Sequence, residues 1–238
     1  MNSIRIKTII AGFLFIFGIV AGILSIDPVI DSPDYLVQST AYANQVIARA
    51  LFQFLLALTY AFIPIILYPI LRKFNNGLAL GFLIFRIIAV VFILIGWTAI
   101  LMILALSQEF VKAGIPDASY FQTFGELLRM GRDILNHVAM PLILSAGNLM
   151  LYFLLFQTRL VPKWLSVWGL IATAMGGVVG SLLVMFRIIG IITPIYITLA
   201  LPTAVLEIAL AIYLIAKGFN SDVMKSITEK ELKQITNE

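Results

Sequence analysis

An all-α fold, a polytopic bundle of six transmembrane helices, is what this chain predicts, and three observations carry the expectation. Of its 238 residues 61% are hydrophobic and only 12% charged, with a mean hydropathy of +1.05. That is too little polar surface to cover a water-soluble globule of this size, so lipid must be the main solvent. The apolar residues fall into six runs, at about 8–26, 46–71, 78–106, 134–156, 164–186 and 192–215, each long enough at about 1.5 Å per residue to cross a hydrocarbon core of about 30 Å. Lys and Arg gather in alternate connections, which is how membrane proteins encode orientation.

The first run follows Arg5 and Lys7 and so looks like a signal peptide. It exceeds the usual apolar length of about 7 to 15 residues, and residues 24–28 lack the A-x-A cleavage pattern, so an uncleaved helix is expected. Residues 27–45 form a connection with Asp27, Asp31 and Asp34 and no Lys or Arg. The second run contains Arg49, Pro64 and Pro69, and a basic turn with Arg72 and Lys73 leads to the third. The third run is longer than a normal span, so tilting or extension past the hydrocarbon is expected. Residues 107–133 read as a polar connection. The fourth run carries Pro141, a site for a kink. A linker at 157–163 precedes Trp164 and Trp168, an interfacial aromatic anchor, and a tight link at 187–191 precedes the sixth run with Pro194 and Pro202. The expected organisation is a six-helix transmembrane domain over 1–218 and a short cytoplasmic tail over 219–238.

Counting charges gives Arg5, Lys7, Arg72, Lys73, Arg159, Lys163, Lys217, Lys225, Lys230 and Lys233 on one side. On the other side are Lys112, Arg129, Arg132 and Arg187. Both termini are therefore expected in the cytoplasm. The dispersed basic residues form no patch, which excludes nucleic acid as a partner. Without cysteine there is no disulfide, thiolate cluster or Cys nucleophile. The chain also lacks the G-x4-GK[ST] phosphate loop, HExxH and G-x-S-x-G patterns.

Ionised residues inside apolar runs cost at least about 2.5 to 3.5 kcal/mol, so Arg86 and Glu207 point to a polar interior. Counted from the nearest basic flank, Arg86, Asn148 and Glu207 each lie roughly 15 to 19 Å deep, near the midplane. Mutual contact is the simplest reason for three polar side chains at one depth. The cluster is either a ligand-binding site in which a solute, proton or ion perturbs an Arg86–Glu207 pair, or a permanent pair that fixes helix register. An outer polar cluster is expected from Arg129, Asp133 and His137, which recur at i, i+4 and i+8, with Arg132 and Asn136 beside them and Arg49 and Arg187 at a similar level. It reads either as a positive vestibule for anions or lipid phosphates, or as interfacial anchoring with local ion pairs. His137 is the sole histidine, which excludes a multi-histidine metal centre; no metal and no cofactor are expected. Ala172, Gly176 and Gly180, with Gly177 beside them, and Gly18 with Gly22 are small-residue repeats suited to close helix packing.

The linker Arg159-Leu160-Val161-Pro162-Lys163-Trp164-Leu165-Ser166 with Gly169, the segment Pro202-Thr203-Ala204-Val205-Leu206-Glu207, and the closing Lys217-Gly218-Phe219 resemble a family of bacterial multi-pass membrane proteins catalogued as domain of unknown function 4386. The resemblance spans most of the chain and implies a small protein of the bacterial cytoplasmic (inner) membrane, with no activity or catalytic residue to transfer. The leading functional expectation is a non-enzymatic protein that binds or passes a small solute, ion or lipid. A structural or regulatory partner, as a homo-oligomer or with another membrane protein, is the second. An intramembrane enzyme using Glu207 or His137 as general base is the third, although these residues sit at different depths.

Overall fold

The computed structural model describes residues 2–114, 118–191 and 193–236. Ile192, the first residue of the sixth predicted run, lies outside the described residues, as do positions 115–117 of the third connection and the side chains of Lys230 and Lys233 in the tail. Helix α1 (Asn2–Leu24) is followed by the short α2 (Pro28–Asp31) and α3 (Tyr35–Ala41), then by the long α4 (Ala43–Leu71) and α5 (Asn76–Lys112). Helix α6 (Ala118–Ile134) runs through a π-turn (Leu135–Ala139) into α7 (Met140–Thr158). Helix α8 (Lys163–Ala172) runs through a second π-turn (Thr173–Val179) into α9 (Gly180–Met185), and α10 (Pro194–Ala216) and α11 (Ser221–Thr236) complete the chain. Six of these helical stretches are long and apolar enough to cross a membrane. The protein is an all-α, six-span, multi-pass membrane protein.

Local chemistry sets the helix ends. Asp27 Oδ1 accepts from the Val29 and Ile30 N–H groups ahead of Pro28, Asn75 Oδ1 accepts from Leu78 N–H, and Thr193 Oγ1 accepts from Tyr196 N–H ahead of Pro194. Gly218 closes α10 with φ 74°, its N–H reaching back to the Tyr213 carbonyl at 3.1 Å, so the glycine of the Lys217-Gly218-Phe219 motif is the left-handed residue that ends the helix. Arg5 of α1 donates to the Leu214 carbonyl at 2.7 Å and also to those of Ile215 and Ala216. A cation thus satisfies the last carbonyls of α10 and puts both chain ends on one face, here the terminal face.

The polar connection expected at 107–133 is mostly helical. Helix α5 continues to Lys112, and α6 begins at Ala118 and packs against α5. Its polar composition hides a helical apolar stripe: Phe121 and Leu128 pack against the core, and Phe121 meets Phe110 edge-on at 5.5 Å between ring centroids. The tail forms α11, with Phe219 buried and Val223 and Met224 packed against the terminal-face core.

Two apolar cores lie at the two ends of the bundle. The terminal-face core gathers Phe15, Leu67, Phe82, Leu151, Leu210 and Leu214 from five helices, with Leu160 and Val161 of the linker at 159–166 buried beneath it. The other core, around Ile30, Tyr35, Val46, Ile100 and Ile103, closes the opposite face between α2, α3, α4 and α5. Between them the interior is polar.

Close approaches explain particular small residues. A Cβ on Gly169 would strike the Tyr152 ring, one on Gly176 would meet the Leu199 carbonyl oxygen at 2.5 Å, and one on Gly18 would meet Thr59 Oγ1 at 2.8 Å. The stripe on the fifth span is therefore spent inside the chain, packing α8–α9 against α7 and α10. Gly22 differs: a Cβ there would touch nothing nearer than 3.9 Å.

Candidate functional site

Arg86 comes from the first third of α5 and is 1% exposed. Its Nε and Nη2 donate to Asn148 Oδ1 of α7 at 3.3 and 3.1 Å, and Nη2 stands 3.8 Å from Glu207 Oε1 of α10. The guanidinium carbon lies 5.1 to 5.5 Å from the centroids of Phe15, Tyr60 and Phe82, close enough for the ring faces to stabilise its charge. Arg86 Nη1, although buried, makes no hydrogen bond. The structure thus brings Arg86, Asn148 and Glu207 together, from three spans.

Two features separate this arrangement from a sealed ion pair. At 3.8 Å the charges attract without a hydrogen bond, which leaves the carboxylate under-satisfied for its depth. Glu207 also keeps 12% of its side chain exposed on the wall of a cavity of about 350 Å³ that Asn148, Tyr60, Ser145 and Thr203 help to line. The cavity lies among α1, α4, α7 and α10. Near the terminal face a Cβ on Gly12 would meet the Ala211 carbonyl oxygen, whereas Cβ atoms on Gly18 and Gly22 would face Thr59 and Leu56 of α4. Ile23 and Ile26, 62% and 56% exposed, stand at its rim. Toward the terminal face the tightly packed core closes it.

The π-turns shape the opposite wall. Pro141 has no N–H and its ring would collide with the carbonyl four residues back. The preceding π-turn absorbs this, with Met140 N–H bonding to the Leu135 carbonyl instead. The second π-turn lets Gly177 lie against Ser145.

A second cavity of about 380 Å³ lies toward the opposite face, lined by Asp27, Asp31, Gln53, Arg132, Asn136 and His137 among others, and it shares Gly22, Ile26, Leu56, Met140 and Tyr196 with the first. His137 Nδ1 is 3.0 Å from the Tyr196 hydroxyl. This contact and the Arg86-bridged pair of Asn148 and Glu207 lie eleven residues apart along each of the two chain segments, roughly 16 Å.

The predicted outer cluster is divided. Arg129, Asp133 and Arg187 line one cleft, while His137 faces the second cavity. The π-turn is the physical reason: its extra residue breaks the i, i+4, i+8 register, so His137 joins the Arg132–Asn136 stripe instead. Arg187 is exposed and has a left-handed φ of 57°. Arg49 donates to the Ile26 carbonyl and lies 3.9 Å from Asp27. Acids accompany the arginines here, as in the anchoring reading with local ion pairs: Arg132 binds Asp31 and Asp133, and Arg129 binds Glu126 at 3.0 Å.

Asp27 and Asp31, noted in the sequence only as acids of the first connection, and Gln53 and Tyr196, not singled out there, also line the second cavity. Gln53 inside an apolar run was a usable signal, as was an acidic connection without basic residues; Tyr196 gave none. Burial pushes the Asp27 carboxyl above the ordinary carboxylate range, against the lowering effects of the Val29 and Ile30 N–H groups and of Arg49. Folding therefore favours its protonated form, a contribution to stability present at low pH and lost as pH rises through the raised value.

Neither curated proteins nor solved structures provide a match to this chain. Residues 10–218, from α1 to the glycine that closes α10, match the family described as Domain of unknown function (DUF4386). The match reaches all six spans, the first from residue 10, and includes Arg86, Asn148 and Glu207, and the chain belongs to that family.

Proposed function

We propose that this protein binds or passes a small solute, ion or lipid through its polar interior, with Arg86, Asn148 and Glu207 as the midplane site and access from the face opposite the termini. The observation that carries the reading is the position of Glu207: a carboxylate inside an apolar span, partly exposed on a cavity wall and held at 3.8 Å from its only cationic partner among the described residues, without a hydrogen bond. A pair that merely fixed helix register would be fully packed and hydrogen-bonded. The five residues that line both cavities and the apolar terminal-face core support one-sided access.

The test is transport by purified protein in vesicles, over a panel of small cations, neutral solutes and anions, comparing the parent with Glu207→Gln at equal folded abundance. At least one solute is expected to move with the parent and to lose most of its flux, roughly tenfold or more as for loss of a buried charged contact, in the variant. Equal flux for every solute would make Arg86 and Glu207 architecture.

The same reading places residues 1–218 in the bacterial cytoplasmic membrane with both termini cytoplasmic, in keeping with the Lys and Arg distribution. Reporter fusions after Lys217 and within α3 are expected to report opposite sides of the membrane, the first cytoplasmic; matching signals would overturn the topology.

A further inference from the structure

The outer cavity holds a group that the midplane reading does not use. Asp27 is 3% exposed; its Oδ1 is committed to the N-cap of α2, and its Oδ2 receives no hydrogen bond. An unsatisfied buried acceptor is unfavourable, the more so when it is charged. The neighbouring cations do not reach it. Arg49 Nε stops 3.9 Å from Oδ1 while Nη1 donates to the Ile26 carbonyl, and Arg132 is engaged by Asp31 and Asp133. Of the charged residues that line this cavity, Asp27 and Asp31 are acidic and Arg132 is basic, while Asp133 belongs to the cleft it shares with Arg129 and Arg187. Much of the remaining wall is apolar, with Leu56, Ile93, Ile100, Met140 and Ile197.

We propose that this outer cavity is a binding site for a small protonated amine with an apolar body, anchored by a charge-assisted hydrogen bond to the Asp27 carboxylate. An ammonium N–H supplies the donor that Oδ2 lacks, while the hydrocarbon body lies against the isoleucines and Met140. A bare alkali or divalent ion fits less well, because it needs a shell of several oxygen ligands and apolar side chains occupy much of the wall. A cavity of about 380 Å³ is within the range of small-molecule sites. The site lies apart from Glu207 and does not depend on the midplane reading.

The experiment is thermal unfolding of the purified full chain in nanodiscs with cyclohexylmethylammonium chloride, against its neutral counterpart cyclohexylmethanol and against sodium chloride at equal concentration. The amine is expected to raise the unfolding midpoint saturably, and the alcohol and the salt are not. In Asp27→Asn, where asparagine keeps the N-cap but loses the charge, the amine's half-saturating concentration is expected to rise tenfold or more. No amine-specific shift in the parent, an equal shift with the alcohol or sodium, or undiminished binding in Asp27→Asn would overturn the assignment. So would binding that is lost in Glu207→Gln instead, since it would put the amine at the midplane. Should Asp27→Asn fail to fold, the comparison of amine, alcohol and salt in the parent still decides.

Discussion

Replacing Arg86 by glutamine is expected to destabilise the folded bundle by about 3 to 5 kcal/mol, the cost of leaving a buried charge without its partner. Three losses combine. Glu207 loses the one cation among the described residues within salt-bridge distance, Asn148 Oδ1 loses the two donors of Arg86, and the rings of Phe15, Tyr60 and Phe82 no longer enclose a cation. Glu207→Gln is expected to cost less, because Arg86 keeps Asn148 and the three rings, and the replaced carboxyl is the cavity-exposed member of the pair. The double replacement should cost less than the sum of the two, with a coupling of about 0.5 to 3 kcal/mol. Reversible unfolding of the four proteins in bicelles measures the cycle, and strict additivity would mean that the 3.8 Å approach carries no energy.

Gly22→Leu is the second large expected effect, and it falls on access instead of stability. Gly22 lines both cavities where they meet, and a Cβ there meets only Leu56 side-chain atoms at 3.9 and 4.0 Å. A leucine side chain can therefore enter the junction without displacing backbone. Folding stability should change by less than about 1 kcal/mol, within the range of tolerated substitutions, while movement of solute to the midplane should be lost. Gly169→Leu is the structural contrast, since the Tyr152 ring occupies the space any side chain would need.

The spans were legible because bilayer thickness and hydropathy constrain them so strongly: six apolar runs became six spanning helices, with ends within a few residues for most. Midplane convergence was legible from depth alone, since helix rise converts sequence separation to distance and puts Arg86, Asn148 and Glu207 at one level. The outer region was less so. Residues 118–134 are a helix whose polar face outweighs its apolar stripe in composition, and only packing on α3 and α5 shows it. The face that His137 presents could not be read, because a π-turn shifts the register by one residue and arises from the steric demand of Pro141 in three dimensions. Arginine content overstated the positive charge of the outer site, since the Asp27 and Asp31 partners come from a separate segment.

The central claim is that polar space reaches from the opposite face to the level of Glu207 and stops there. The chain has no cysteine, so single substitutions can be probed on a silent background. Thr203→Cys, on the cavity wall one helical turn from Glu207, and Leu210→Cys, 2% exposed in the terminal-face core, are treated in oriented vesicles with a small membrane-impermeant cationic thiol reagent. Labelling of Thr203→Cys from the opposite face only, its loss on adding Gly22→Leu, and no labelling of Leu210→Cys from either face are the results expected. Labelling of Thr203→Cys from the terminal face, or none from either, would contradict the account.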